Sequence, residues 1–162
     1  MNLEEMFEPV HPGEFELKWM LREHGYKVRD VSMEPEYWHE DVDLIATNLF
    51  TEEETKIEVK WDKRLADTGN LFIETINPKG EYGKGWFQIC KADILAYGDA
   101  INKIFYFVNF KALQEYIEKF AATLEERKTW DGSIGYIVPL SEVSAFTVAF
   151  DLIRREKIIW DL

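Results

Sequence analysis

The feature that most constrains the fold is the regular alternation of apolar and polar side chains over residues 57–62. Successive side chains of a β-strand point to opposite faces, so this alternation predicts a strand with one apolar and one polar face. The apolar set is Ile57, Val59 and Trp61, and the polar set is Glu58, Lys60 and Asp62. An acid and an amine placed side by side in a core strand cost stability unless they are solvated or used chemically.

A second apolar run begins at Asp43, fifteen positions before Glu58. A turn-like segment at 49–54 separates the two runs, which predicts a hairpin formed by strands 43–48 and 55–62. In such a hairpin Asp43 comes alongside Glu58. Two carboxylates can hold a hard divalent cation such as Mg²⁺, for which we expect Mn²⁺ to substitute.

The Glu-x-Lys spelling is not specific by itself, because it also occurs at 16–18, 54–56 and 126–128. Only the pair Glu58 and Lys60 lies within an alternating strand that follows a strand-opening aspartate. Lys60 would then stand beside any cation that the carboxylates hold. The alternative without a chemical role is a surface ion pair between Glu58 and Lys60, which would contribute little to stability.

Composition points to one folded domain, which we assign to residues 1–162. An apolar fraction of 46% and an aromatic fraction of 15% exclude a disordered chain, and no apolar run is long enough to predict a membrane span. Cys90 is the only cysteine, so an internal disulfide and a zinc-thiolate site are excluded. The acidic N-terminal residues 1–5 lack the apolar segment of a signal peptide, so we expect a cytoplasmic protein.

The net charge of −12 weighs against tight nonspecific binding to nucleic acid, because such binding depends on Lys and Arg neutralising phosphates. Basic residues are nevertheless clustered near the predicted site. One cluster lies within 60–64, and the other comprises Lys79, Lys84 and Lys91. We therefore expect any contact with a phosphate backbone to be local.

Hydrophobic periodicity outlines the remaining elements. Helices are predicted at about 14–24, 86–97 and 111–127, and further strands at 26–31, 71–76, 103–110, 133–138 and 146–152. Strand 71–76 is expected to join the hairpin strands in one set, and the almost wholly apolar strand 103–110 is expected in the centre of a sheet. The order α-β-β-β-α-β-α, followed by a mixed end, predicts a mixed α/β sheet with helices on its faces.

This order, with an aspartate opening one strand and Glu58-Val59-Lys60 in the next, resembles the PD-(D/E)xK nuclease superfamily, which includes restriction endonucleases and archaeal Holliday junction resolvases. The resemblance covers roughly residues 13–110, and Val42 stands where that family often has proline. The segments 68–74 and Lys91-Ala92-Asp93 are similar to small phage-encoded members. The resemblance implies a restriction endonuclease-like mixed β-sheet flanked by helices, with an αβββαβ core and C-terminal additions.

The same resemblance implies a chemistry, namely Mg²⁺-dependent hydrolysis of phosphodiester bonds in DNA by an endonuclease that needs no organic cofactor. Asp43 and Glu58 would bind the metal, with the backbone carbonyl of Val59 as a further ligand. Lys60 would position the attacking water or stabilise charge on the phosphate.

Two of the acids have alternatives. The resemblance of Gly13-Glu14-Phe15-Glu16 to resolvase-like members implies that Glu16, on the first helix, joins the metal site as a third acid, and Glu14 is the alternative. Asp41 competes with Asp43, which is favoured because it directly adjoins the apolar run that starts at Leu44.

Contacts to DNA are expected from Lys63, Lys84, Lys91 and Gln88. Gln88 and Lys91 lie one turn apart on the predicted helix, and Lys84 lies in a glycine-rich loop, where binding residues are common. Cutting two strands would require two sites, so a homodimer is compatible with the sequence, and the apolar tail 158–160 could pack across its interface or close the core. The alternative function is a nuclease-fold domain that binds nucleic acid or protein without catalysis.

Overall fold

The computed structural model describes residues 12–158 of the chain. The expectations for residues 1–5 and for tail residues 159–160 therefore lie outside the described part. Within it, the strands are β1 (Tyr26–Asp30), β2 (Leu44–Asn48), β3 (Glu54–Asp62), β4 (Asn70–Ile76), β5 (Ile94–Asp99), β6 (Ile104–Asn109), β7 (Glu125–Lys128), β8 (Ile134–Pro139), β9 (Thr147–Asp151) and β10 (Glu156–Ile158). The α-helices are α1 (Pro12–Glu23), α2 (Pro35–Trp38), α3 (Leu65–Thr68), α4 (Trp86–Ile89) and α5 (Phe110–Phe120), and 3₁₀ turns span Glu81–Gly83 and Leu140–Phe146.

The strands form two sheets. Among residues 12–158, the larger sheet has seven strands in the order β1-β2-β3-β5-β6-β9-β10, and the smaller has three in the order β4-β8-β7. Within these sheets β3 and β5 pair in parallel, and the other neighbouring strands pair in antiparallel fashion. The structure is thus a mixed α/β arrangement, as the sequence predicts.

Apolar side chains cover both faces of the larger sheet, and each face has its own core. On one face α1 packs against the apolar set of β3 through Leu17, Met20 and Leu21. On the other face the second core combines side chains from the larger sheet, the smaller sheet and α5, among them Leu95, Leu71, Val138 and Leu113. The layers are therefore α1, the larger sheet, and the smaller sheet together with α5.

The predicted hairpin of 43–48 and 55–62 is confirmed. Strands β2 and β3 pair in antiparallel fashion, with Leu44 opposite Ile57 and Ala46 opposite Thr55. The apolar set of β3 lies in or against the α1 core, so the polar set faces the smaller sheet.

Strand 71–76 forms, but its expected place beside the hairpin is wrong. It is β4, which pairs with β8 in the smaller sheet. Strand β1 (Tyr26–Asp30) takes the third place next to the hairpin, because it pairs along the whole of β2. The order of elements along the chain did not distinguish these two arrangements.

The predicted helix 86–97 is also wrong over most of its length. Helix α4 ends at Ile89, where Cys90 adopts extended backbone angles, and residues from Ile94 onward form β5. Strand β5 is buried on both faces, and a short apolar run of that kind has no periodicity that separates it from a buried helix. As a result Gln88 and Lys91 do not share a helix.

The predicted helix 111–127 is confirmed as far as Phe120, but residues 125–128 form the edge strand β7. Strand 103–110 is confirmed as β6, which lies inside the larger sheet between β5 and β9. None of the helices in the described residues is long and apolar enough to cross a membrane.

Candidate functional site

Strand β3 places Glu58 and Lys60 side by side on the face that looks toward the smaller sheet. Lys60 Nζ lies 2.5 Å from Glu58 Oε1, and the Glu58 side chain is only 3% exposed. The acidic end of this pair is therefore buried, and a solvated surface ion pair does not describe it.

Asp43 lies directly before β2 and next to Glu58 in the hairpin register, because the following residue, Leu44, is opposite Ile57. Its Oδ2 accepts a hydrogen bond of 2.8 Å from the backbone N–H of Val59. The N–H and C=O of one strand residue point to the same edge, so the Val59 carbonyl is also directed to the edge where Asp43 lies. The structure thus brings together Asp43, Glu58, Val59 and Lys60.

Asp41 joins this group from the loop before β2. It has a left-handed backbone, with φ of 50°, and its Oδ2 lies 4.0 Å from Lys60 Nζ. Two buried carboxylate oxygens in the group, Asp41 Oδ2 and Glu58 Oε2, have no hydrogen-bond partner within the described residues. A buried acceptor without a donor costs roughly 1–3 kcal/mol, and more when it is charged.

The first helix contributes Glu14, not the expected Glu16. Glu14 is buried, and the charges of Asp43 and Lys60 both act on it. Residues two apart on a helix point in different directions, and Glu16 lines a separate groove with Trp19 and Lys103. The alternative acid considered from the sequence is therefore the one that faces the site.

Burial and mutual repulsion shift the protonation of these acids. Desolvation raises the pKa of Glu58 well above its ordinary value, against the opposing effect of Lys60. Desolvation likewise raises the pKa of Asp41, and desolvation together with the charges of Asp43 and Asp30 raises the pKa of Glu14 to about 7. Burial alone would lower the pKa of Lys60, but the neighbouring carboxylates outweigh it and raise that pKa. Lys60 is consequently a cation at neutral pH.

Trp86 forms part of the wall around the lysine. Lys60 Nζ lies 4.8 Å from the centre of the Trp86 ring, a distance at which the ring face attracts a cation. The same indole packs against Phe87 and Phe110, so it belongs to the core as well as to the site. Burial raises the pKa of the nearby Cys90 thiol to about 12, which leaves it protonated.

A cleft of about 530 Å³ opens from Lys60 between the two sheets. Lys63, one of the residues expected to contact DNA, lines it together with Arg64 from the same loop. Lys84, Lys91 and Gln88 are exposed but are not among its lining residues.

The described residues include no group of three or more His, Cys, Asp or Glu side chains arranged to hold a metal ion jointly. In this arrangement the Lys60 ammonium stands closest to Glu58. Among the described residues, Asp41 and Glu14 are the two site acids that the sequence offered only as alternatives. The signal for Asp41 was its position two residues before Asp43, and the signal for Glu14 was its place on the helix face that bears Leu17 and Leu21.

No protein-family model, no curated protein and no solved structure was found to match the chain.

Proposed function

We propose that the chain is a Mg²⁺-dependent endonuclease that hydrolyses phosphodiester bonds in DNA. The observation that carries the proposal is the pair of buried, unpartnered oxygens on Asp41 and Glu58, in a group that also holds Asp43 and Lys60. A buried carboxylate oxygen without a donor is compensated either by a proton or by a cation. A divalent cation would satisfy both oxygens at neutral pH.

The donor set fits Mg²⁺. This ion takes oxygen ligands, keeps several waters and is commonly held by only one or two carboxylates, with substrate phosphates completing its shell. Asp41 and Glu58 would hold it through the two oxygens that lack a hydrogen bond, and the Val59 carbonyl points to the edge of β3 where Asp43 lies. When bound, the ion would polarise the scissile phosphate and acidify a water.

Lys60 would act on the phosphate as a cation. Because its pKa is raised, it is suited to donating hydrogen bonds and not to removing a proton. In the hydrolysis, a water loses a proton to solvent as its oxygen bonds to phosphorus, the bond from phosphorus to the departing sugar oxygen breaks, and that oxygen takes a proton from solvent. The ammonium would stabilise the negative charge that grows on the phosphate oxygens during this exchange.

The chain path supports the same proposal. Helix α1, the antiparallel strands β1, β2 and β3, and then β5 in parallel beside β3 give the order that the resemblance to PD-(D/E)xK nucleases implies. The crossover between β3 and β5 differs, since it contains β4 and the short helix α4.

The test is nicking of supercoiled plasmid DNA with Mg²⁺ or Mn²⁺. We expect Glu58→Gln and Lys60→Ala each to lower the rate by at least a hundredfold, because each removes a group proposed to act in the transition state. Strand β3 provides a matched control in Glu54→Gln, since Glu54 is exposed and belongs to the same Glu-x-Lys spelling on the same face of the strand.

Glu54→Gln should nick DNA at the rate of the unaltered protein. If the unaltered protein binds DNA but does not cut it with either metal, the domain is a binding module and the proposal is wrong. Equal activity in all three variants would show that the cleavage arises elsewhere.

A further inference from the structure

The cleft beside Lys60 continues along the smaller sheet to an exposed tryptophan. Phe72, Arg64, Arg127 and Thr129 line both the cleft and a second, adjoining groove. The second groove ends at Trp130, in the β7–β8 turn, which is 98% exposed. We call the combined surface from Lys60 to Trp130 the sheet track.

The registers of the smaller sheet explain how the middle of the sheet track is built. Glu74 lies opposite Gly135, and Gly135 lies opposite Arg127, so these positions share one face. Gly135 has no side chain, and the Phe72 ring leans over it, so a Cβ there would meet the ring at 2.8 Å. An aromatic ring and a guanidinium are thereby placed as neighbours on the open face.

The charge of the sheet track differs from that of the whole chain. Five basic side chains line it, namely Lys60, Lys63, Arg64, Arg127 and Lys128, against three acidic ones, Asp62, Glu74 and Asp131. Lys60 is already paired with Glu58 and Arg127 with Glu125, so Lys63, Arg64 and Lys128 are the cations of the sheet track that have no ion pair among the described residues. In a chain with a net charge of −12, this excess of cations favours an anionic ligand.

We infer that the sheet track binds single-stranded DNA, with bases stacked on Phe72 and Trp130 and phosphates against Arg64, Arg127 and Lys128. A basic groove with interspersed aromatic rings is the arrangement that binds single strands, since every base offers a stacking face. A paired base cannot reach such rings without leaving its stack, so duplex DNA is disfavoured. The inference rests on the proposed function and specifies its substrate as an unpaired segment that leads to Lys60.

The experiment measures binding in EDTA, where no metal-dependent cleavage occurs. A fluorescent oligonucleotide longer than the roughly 4 to 16 nucleotides that one such groove covers is compared with its duplex by anisotropy. We expect the single strand to bind at least tenfold more tightly. Trp130→Ala should weaken that binding about tenfold, and Trp130→Phe, which keeps a stacking ring, should restore most of it.

Phe50→Ala is the matched control, because Phe50 is 91% exposed in the turn of the other hairpin, away from the sheet track. Its affinity should not change. Polyglutamate of comparable length tests whether charge alone is recognised, and it should compete only weakly. Since Trp130 is exposed, Trp130→Ala should retain the circular dichroism and melting temperature of the unaltered protein.

Equal affinity for duplex and single strand, or an unchanged affinity in Trp130→Ala, would overturn the inference. Effective competition by polyglutamate would overturn it as well. Binding that depends on Trp130 in a protein that fails to nick DNA would support the sheet track while refuting the proposed hydrolysis. Cleavage at the same rate in the unaltered protein and in Trp130→Ala would support the proposed hydrolysis while refuting the sheet track.

Discussion

Individual side chains explain why the alternation in β3 is informative. Five polar side chains of β3 lie on the same strand face, yet Glu54 is exposed and has no partner among the described ion pairs, whereas Glu58 is buried. The difference arises from the neighbours, because Asp43 and Asp41 approach only the second half of the strand. The sequence could predict the pairing of Asp43 with Glu58, since a hairpin register follows from its turn.

Asp41 and Glu14 were harder to predict. Asp41 reaches the site through a left-handed backbone, and no local pattern announced that conformation. Which helix acid faces the site depends on how α1 is rotated against the sheet, and tertiary packing sets that rotation. The sequence therefore limits the site to a few candidate acids, and tertiary packing determines which of these acids lie in it.

Glu14 should make stability depend on pH. Its pKa is about 7 in the folded protein against 4.5 for an ordinary glutamate, so the folded state holds its proton more firmly than the unfolded state. The contribution to stability is fully present below pH 4.5 and is lost as pH rises through about 7. We expect Glu14→Gln, in EDTA, to raise the free energy of unfolding at pH 8 by at most about 3 kcal/mol.

Urea unfolding at pH 5 and pH 8 measures this effect. Glu16→Gln, two residues along the same helix, is the control and should leave the difference between the two pH values unchanged. A Glu14→Gln protein with the same pH dependence as the unaltered protein would contradict the burial of this carboxyl group.

Elements with clear turn signals or periodicity were predicted well, and short strands without such signals were not. The β2–β3 hairpin and the first helix followed from turn signals and periodicity. Strand β5 was missed because it is buried on both faces, and the end of α5 was misplaced because β7 is short, charged and exposed. The assignment of β4 to a second sheet depends on its pairing with β8, a partner distant in the sequence that no local signal identifies.

The packing of α1 on β3 should be sensitive to one glycine of β5. Gly98 lies beside Trp61, and a Cβ there would meet the indole at 2.2 Å and the Phe105 ring at 2.9 Å. Gly13 of α1 approaches the same indole, which would meet a Cβ at 2.4 Å. We expect Gly98→Ala to lower the free energy of unfolding by about 2 kcal/mol through overpacking.

Urea unfolding again provides the measurement, and a second substitution tests the reason. Trp61→Leu should be less harmful in the Gly98→Ala protein than in the unaltered one, because the smaller side chain relieves the clash. Additive effects of the two substitutions would argue against contact between these residues.

At the scale of the whole molecule, the distribution of charge matters more for binding an anionic ligand than the net charge does. The acidic composition predicted weak nonspecific binding, and the basic clusters were expected to be local. The fold separates the clusters further, since Lys63 joins Arg64 and Arg127 along the sheet track, while Lys84 and Lys91 lie outside the lining of the cleft. Sequence proximity alone could not bring Arg127 to Arg64, because these residues come from different parts of the chain.

Salt should weaken binding of single-stranded DNA in proportion to the phosphates neutralised by the sheet track. Each neutralised phosphate contributes a slope of about −0.7 to log K against log salt concentration on single strands. Four exposed cations, Lys63, Arg64, Arg127 and Lys128, therefore give an expected slope of roughly −3. Anisotropy titrations over a range of salt concentrations measure it.

The double variant Arg64→Ala with Arg127→Ala should reduce that slope to about half. Lys27→Ala with Lys157→Ala, at exposed positions on the edge strands of the larger sheet, is the charge-matched control and should keep the original slope. A slope near zero in the unaltered protein would mean that phosphates are not what the surface recognises.

The pairing of β4 with β8 has a consequence for the order in which the molecule is completed during synthesis. Residues 14–58 supply every carboxylate of the site, whereas the wall that carries Arg127 and Trp130 cannot be completed until residue 139 is free to pair with Asn70. A nascent chain paused on the ribosome before that point would carry the acids and the lysine but no surface to retain a polynucleotide against them. On the proposed function, completion of the smaller sheet would thus be the step that gives the polypeptide its binding surface for DNA.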